Sequence, residues 1–145
     1  MLSGLIALVF AAAFAGAAVY VIWVEQPARL ALDEEALLSE WTPSDRRGVA
    51  LLAAFALAAS IAGFIAYFES EDVRWVFGAL IIISSWPYAF FVIVPVNVWL
   101  YTLPPERARS DVQELMREWG LLEWGQTVIG LVACWFLAWV VIQPA

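Results

Sequence analysis

An all-α polytopic membrane protein is the fold class that this sequence predicts: a four-helix transmembrane bundle with two long cytoplasmic loops containing short amphipathic helices. Three observations predict it. Hydrophobic residues make up 64% of the 145 residues and charged residues only 14%, whereas a soluble domain is about 45–50% apolar and about 25% charged. Four apolar segments, Leu2–Val24, Val49–Phe68, Trp75–Val98 and Leu121–Ile142, reach the roughly 20 residues that a helix needs to cross about 30 Å of hydrocarbon. The apolar/polar alternation of a membrane β-barrel is absent, which leaves helices as the spanning elements. Residues 1–145 are therefore read as one four-span membrane domain.

The same composition excludes several functions. All seven basic residues are Arg, against fourteen acids, giving a net charge of −7. Little basic charge is left to neutralise phosphates, so nucleic acid is not an expected partner. There is no His, which removes the commonest metal ligand and general base together. The single Cys allows no internal disulfide and no CxxC redox pair. Cys134, inside the fourth apolar segment, reads as a small buried filler.

Taken in order, the first span is uncharged and is read as a true span rather than a cleaved signal, because it lacks a basic leader and its apolar run is too long. It carries Ser3, Ala7, Ala11 and Ala15, with Ala12 and Gly16 alongside. The second span carries Ala50, Ala54, Ala58, Ala62 and Ala66, with Ala59 and Gly63. Small residues let helix backbones approach in lipid, so these two stripes predict the closest contact of the bundle. Between them, Ala28–Trp41 mixes apolar residues with acids and predicts a short interfacial helix. The third span contains Pro87 and Pro95, which would free the carbonyls of Ile83 and Phe91 and bend the helix, with Ser84, Ser85 and Tyr88 as the nearest hydroxyls. Ser110-x-x-Gln113 resembles a capping box opening a helix at Asp111 that runs into the fourth span. Both long loops carry Glu-Trp near their end, at Glu40-Trp41 and Glu118-Trp119, a hint of internal duplication.

The connections divide the charges. The loops Glu25–Gly48 and Trp99–Gly120 hold six of the seven Arg residues, and the tight link Glu69–Arg74 holds the other. The positive-inside rule then places the long loops in the cytoplasm and both termini outside, in a membrane of the bacterial inner-membrane kind. Trp23, Trp41, Trp99, Trp119 and Trp124 fall at the expected cytoplasmic interface, and Trp75 and Trp139 at the outer one. Trp86 stands alone in mid-span.

This frame gathers polar residues at one end. Glu25 and Gln26 close the first span, Arg46 and Arg47 precede the second, Asn97 ends the third, and Glu123 and Gln126 open the fourth. Ionisable groups near hydrocarbon are costly unless paired or hydrated, so they mark candidate sites, although span ends also meet water and headgroups as a matter of course. Arg29 lies four residues after Glu25 and pairs with it if the helix survives Pro27. Asn97, the only Asn, can donate and accept at once and so fix a carboxylate or a ligand carbonyl.

Four stretches carry a family resemblance. Gly16-Ala-Ala-Val-Tyr20 with Val24-Glu25-Gln26-Pro27-Ala28-Arg29-Leu30 resembles the first-span signature of anthrone-oxygenase-like membrane proteins, many of them described only as a domain of unknown function. Trp41-Thr-Pro-Ser-Asp-Arg46-Arg47, Pro87-Tyr88 with Pro95-Val96-Asn97-x-x-Leu100, and Trp119-Gly120 through Gln126-Thr127 are similar to its later parts. The chain departs from the pattern at Glu123 and Gln126, where a His and an Arg commonly stand. The resemblance implies a four-span protein that oxygenates hydrophobic phenolic substrates, anthrones to anthraquinones in some relatives, with no metal, flavin or other cofactor. It implies Glu25 as base, Arg29 and Asn97 holding substrate oxygens, and a pocket completed by Gln26, Glu123, Gln126, Trp23 and Tyr20. Partners expected besides the lipid bilayer are a hydrophobic small molecule and a membrane-protein partner or second copy. A non-catalytic accessory subunit of a larger membrane complex is the alternative function, and a carrier or lipid-binding protein a third.

Overall fold

The computed structural model describes residues 2–103 and 108–143. Four long helices fill nearly all of them: α1 (Leu2–Leu30), α2 (Glu34–Ser70), α3 (Arg74–Thr102) and α4 (Ala108–Ile142). All four are long and apolar enough to cross a membrane, which makes this an integral membrane protein. Neighbours in sequence pack side by side, α4 closes against α1, and the diagonal pairs barely touch, so the four stand in a ring.

The long loops of the sequence reading are mostly helix. The break after α1 is confined to Ala31–Asp33, and the expected interfacial helix Ala28–Trp41 is cut by it into the end of α1 and the start of α2. Asp33 ends the break by accepting a hydrogen bond from the Ala36 N–H at 2.9 Å, a local cap that outcompetes continued helix. α4 already begins at Ala108, upstream of the predicted start at Asp111. Gln113 there donates to the Leu32 carbonyl at 3.0 Å. Arg107 lies outside the described residues, as do the side chains of Arg109 and Ser110. The 37 residues of α2 amount to roughly 55 Å at about 1.5 Å per residue, well beyond the hydrocarbon thickness, so one end of the bundle projects past it.

Each zone has its own core. In the apolar zone Ser3, Ala7, Ala11, Ala15 and Ala18 of α1 are buried, and α1 and α2 make the most extensive contact of the molecule. The α2 stripe is displaced from the predicted one: Leu52, Ala56, Ala59, Ala62, Gly63 and Ala66 are buried, while Ala50 and Ala54 are exposed, because they stand two residues from Leu52 and Ala56 and so fall on the other side of the helix. Gly130 of α4 receives the Phe14 ring so closely that a Cβ there would lie 2.7 Å from it. In the projecting zone a second core gathers Leu37, Trp41, Ile93, Leu100, Val112, Met116 and Trp119. Trp41, Trp75 and Trp119 are thus core residues rather than members of an interfacial belt.

Both odd-numbered helices contain a widened turn. At Val21–Glu25 the Gln26 N–H reaches back to the Val21 carbonyl, and at Ala89–Ile93 the Val94 N–H reaches back to the Ala89 carbonyl. In each case a proline, Pro27 or Pro95, follows two residues after the wide turn. A proline ring clashes with the carbonyl four residues back, and the wider turn gives it room without breaking the helix. The hydroxyls near Pro87 do not serve the Ile83 carbonyl: Ser84 Oγ donates to Ile81 O at 2.6 Å, and Tyr88 reaches across to the Leu122 carbonyl of α4 at 2.7 Å.

At the opposite end, α2 stops at Glu71, whose φ of 58° is left-handed. Asp72 then accepts from the Arg74 backbone and guanidinium, and that guanidinium holds the Asp72 carboxyl below the usual carboxylate range.

Candidate functional site

Between the two cores, where Leu52 of one and Trp119 of the other both reach it, the bundle holds a cavity of about 570 Å3. Its walls come from α1 at Tyr20, Glu25 and Arg29, from α2 at Glu40, Ser44, Asp45 and Arg47, and from α4 at Trp119 and Glu123. Val49 and Leu51, both exposed, complete an apolar stretch of the rim beside Tyr20, while Glu40 and Arg47 form the polar stretch. The volume falls within the usual range for small-molecule pockets, about 300–1,000 Å3.

Arg29 is the buried cation of the site, 2% exposed. Its Nε donates to Glu40 Oε2 at 2.5 Å and its Nη2 to Ser44 Oγ at 2.8 Å, with Glu25 Oε2 and Gln26 Oε1 each at 3.4 Å. The guanidinium also lies 5.4 Å from the Trp119 ring centroid. A guanidinium taken out of water needs this many partners, because desolvation otherwise exceeds the Coulomb gain. The helix does survive Pro27, and Glu25 pairs with Arg29, but Glu40 is the closer partner.

Asn97 ties three helices together. Its Nδ2 donates to both carboxylate oxygens of Asp45 on α2, at 3.1 and 3.2 Å, and its Oδ1 accepts from Trp119 Nε1 on α4 at 2.8 Å. Tyr101 Oη donates to Asp45 Oδ2 at 2.9 Å. The Asp45 carboxylate therefore accepts three hydrogen bonds from neutral donors, one on Oδ1 and two on Oδ2. Glu123 is the contrast: it is 6% exposed, it lines the cavity, and no described residue is within hydrogen-bond or ion-pair distance of its carboxyl group.

Of the residues singled out in the sequence, Tyr20, Glu25, Arg29 and Glu123 line the cavity. Three others pack behind the wall. Gln26 donates to the Met116 carbonyl at 2.6 Å, Gln126 to the Ser85 carbonyl at 3.4 Å, and both ends of Asn97 are occupied as described. Gln126 Oε1, Ser85 Oγ and Trp41 Nε1 are buried with no hydrogen-bond partner among the described residues. Trp23 is 68% exposed and does not line the cavity, since a residue two places from Glu25 points to the other side of the helix. Sequence reasoning missed Glu40, Ser44 and Asp45, which it had assigned to a loop. Two signals pointed to them: the stretch Trp41-Thr-Pro-Ser-Asp-Arg46-Arg47, which holds Ser44 and Asp45, and the repeated Glu-Trp dipeptide, because Asp45 follows Trp41 by four residues as Glu123 follows Trp119. Among the described residues no group of three His, Cys, Asp or Glu side chains is placed to hold a metal ion.

Four long apolar helices in a ring, with a cavity lined by charged residues of α1, α2 and α4, define the class, a four-span integral membrane protein. The family model described as anthrone oxygenase matches residues 41–136, and the chain belongs to that family. The match takes in Asp45, Asn97, Trp119 and Glu123 but begins after Glu25 and Arg29. No curated protein and no solved structure matches the chain.

Proposed function

We propose that the protein is a membrane oxygenase that uses O2 to convert an activated methylene of a flat, phenolic, hydrophobic guest into a carbonyl, as in the oxidation of an anthrone to an anthraquinone. The observation that carries this reading is Glu123, a buried residue whose carboxyl group has no hydrogen-bond or ion-pair partner among the described residues, lining a cavity of small-molecule size in a chain of the anthrone oxygenase family. Glu123 rather than Glu25 is the base, because Glu25 is paired with Arg29 whereas Glu123 is free to exchange a proton with a guest.

The chemistry needs no further oxidant. Glu123 takes one proton from the methylene, and the resulting carbanion spreads its charge onto the guest's oxygens. Arg29 and Arg47, both lining the cavity, place positive charge near that oxygen edge. The carbanion passes one electron to O2, the two radicals join through a C–O bond, and the peroxide anion takes the proton back from Glu123. Loss of the second C–H proton then forms the carbonyl as the O–O bond breaks, and the departing hydroxide leaves with a proton as water. One methylene and one O2 give one carbonyl and one water.

The amphipathic rim of the cavity supports a guest that reaches the site from the membrane. The long-helix end, rich in Arg, is assigned to the cytoplasm.

The test is purified protein in lipid nanodiscs supplied with an anthrone, following quinone formation and O2 uptake. Glu123→Gln is expected to lower kcat by about 10²–10⁴-fold, the usual contribution of a positioned base. Turnover no faster than background in wild type would defeat the oxygenase reading. Together with a co-purifying membrane partner, that result would favour an accessory subunit instead.

A further inference from the structure

The proposed reaction removes two hydrogens from one carbon, and in a flat ring system those hydrogens project from opposite faces. A single base reaches only one of them. The two halves of this chain supply a second. In each half a wide turn with a proline two residues later is followed by a long helix carrying a Glu-Trp pair. The two tryptophans, Trp41 and Trp119, meet edge to face with ring centroids 6.1 Å apart. Four residues after each stands a buried carboxyl group, Asp45 on α2 and Glu123 on α4. α2 and α4 are diagonal in the bundle, yet Asp45 and Glu123 both line the one cavity. Arg29 and Asn97 correspond in the same way, each two residues after its proline, and each engages the α2 carboxylate nearest to it.

We propose that Asp45 is the second base of the site, serving the face of the guest opposite to Glu123. This rests on the oxygenase reading above. Glu123 removes the first proton and O2 joins on the side that proton has left, so the remaining hydrogen points toward α2. The Asp45 carboxylate accepts it, the C–H electron pair becomes the second bond of the carbonyl, and the O–O bond breaks. The departing hydroxide recovers the proton from Asp45 and leaves as water. Asn97 and Tyr101 hold the Asp45 carboxylate in one position. O–O cleavage drives the second step, so it asks less of its base than the first step, which forms a free carbanion. The unpartnered burial of Glu123 in the same cavity distinguishes this arrangement from a mere cluster of surface acids.

The two steps have separate readouts. Without O2, reversible loss of the first proton exchanges the methylene hydrogens with D2O, measured by mass spectrometry of the guest. With O2, quinone and hydroperoxide are quantified by chromatography. Wild type is expected to show both exchange and quinone formation. Glu123→Gln is expected to lose both. Asp45→Asn is expected to keep exchange within about twofold of wild type, to form quinone at least tenfold more slowly, and to accumulate hydroperoxide at one O2 consumed per guest. A proportionate fall of exchange and quinone in Asp45→Asn, or unchanged quinone formation, would overturn the assignment. If Asp45→Asn does not fold, Tyr101→Phe carries the test: it loosens Asp45 and is expected to slow quinone formation at least threefold relative to exchange, and an unchanged ratio refutes the proposal. A wild type showing neither exchange nor quinone brings down the oxygenase reading and the role of Asp45 with it. A wild type active in both, beside an Asp45→Asn variant equally active in both, brings down only the second base.

Discussion

Asn97 shows how much of the site a single amide sets. Its two donor contacts to Asp45 and its acceptor contact to Trp119 lie at 3.2 Å or less, and all three groups are buried. Removing the amide leaves an indole N–H without an acceptor and a carboxylate with Tyr101 as its remaining donor. The cost of orphaning buried polar groups exceeds the net value of the bonds that satisfied them. Asn97→Leu is therefore expected to destabilise the protein by about 1–3 kcal/mol, read as a lower Tm in detergent. An unchanged Tm would show that the amide contributes nothing to holding the three helices. Arg29 acts on the same scale by different means. It spreads one buried charge over Glu25, Glu40, Ser44 and the Trp119 ring, and so fixes the α1 wall of the cavity against α2. The sequence reading gave Arg29 and Asn97 the task of holding a ligand's oxygens. Of the two only Arg29 faces the cavity, and the partners of Asn97 define it as the support of Asp45.

At the scale of the element, the prolines explain the shapes of α1 and α3. Each would break a regular helix, and a wide turn just before Pro27 and Pro95 lets the chain continue instead. In α1 the wide turn ends at Glu25 and precedes Arg29, so the irregularity that accommodates Pro27 also presents these two side chains to the cavity. The α2–α3 link shows strain of another kind. Glu71 holds a left-handed backbone at φ 58° while its N–H closes the helix on the Tyr67 carbonyl at 2.7 Å. A side chain in that conformation costs about 1–2 kcal/mol that glycine does not incur. Glu71→Gly is therefore expected to raise Tm, with a gain of about 1 kcal/mol after the extra freedom of glycine in the unfolded chain is allowed for. A lower Tm would mean that the Glu71 side chain contributes more than its backbone costs.

For the whole molecule, the ring of four helices sets two zones end to end. The lipid-facing zone is joined by small residues, and the projecting zone by Trp41, Trp119 and their aliphatic neighbours. The cavity lies where one gives way to the other, so charged groups and apolar walls meet in a single space. The proposed orientation is open to a direct check. With Cys134, the only cysteine, changed to Ser, single cysteines are placed at Asp33 and at Gln143 and exposed to a membrane-impermeant maleimide on intact cells. Labelling is expected at Gln143 and not at Asp33. The reverse pattern would place the cavity end outside and overturn the positive-inside assignment.

The sequence by itself determined the fold class, the number of spans and the end at which polar groups gather. Uninterrupted apolar length and the placement of Arg are local properties that the bilayer reads directly. It also exposed Tyr20, Glu25, Arg29 and Glu123 as candidates, since charged or amphipathic residues at the ends of apolar runs are conspicuous. What it left undetermined was the partner of each group. Asp45 and Asn97 are far apart in the chain, and Asp45 looked like a loop residue because nothing in its surroundings reveals that α2 continues through Pro43 to Glu34. Only the tertiary structure decided that Asn97 holds Asp45, that Trp23 turns outward, and that Glu123 has no ion-pair partner among the described residues. Those outcomes depend on the rotation of each helix about its own axis. That rotation is fixed by packing against two neighbours at once, and the order of residues along one helix does not contain it.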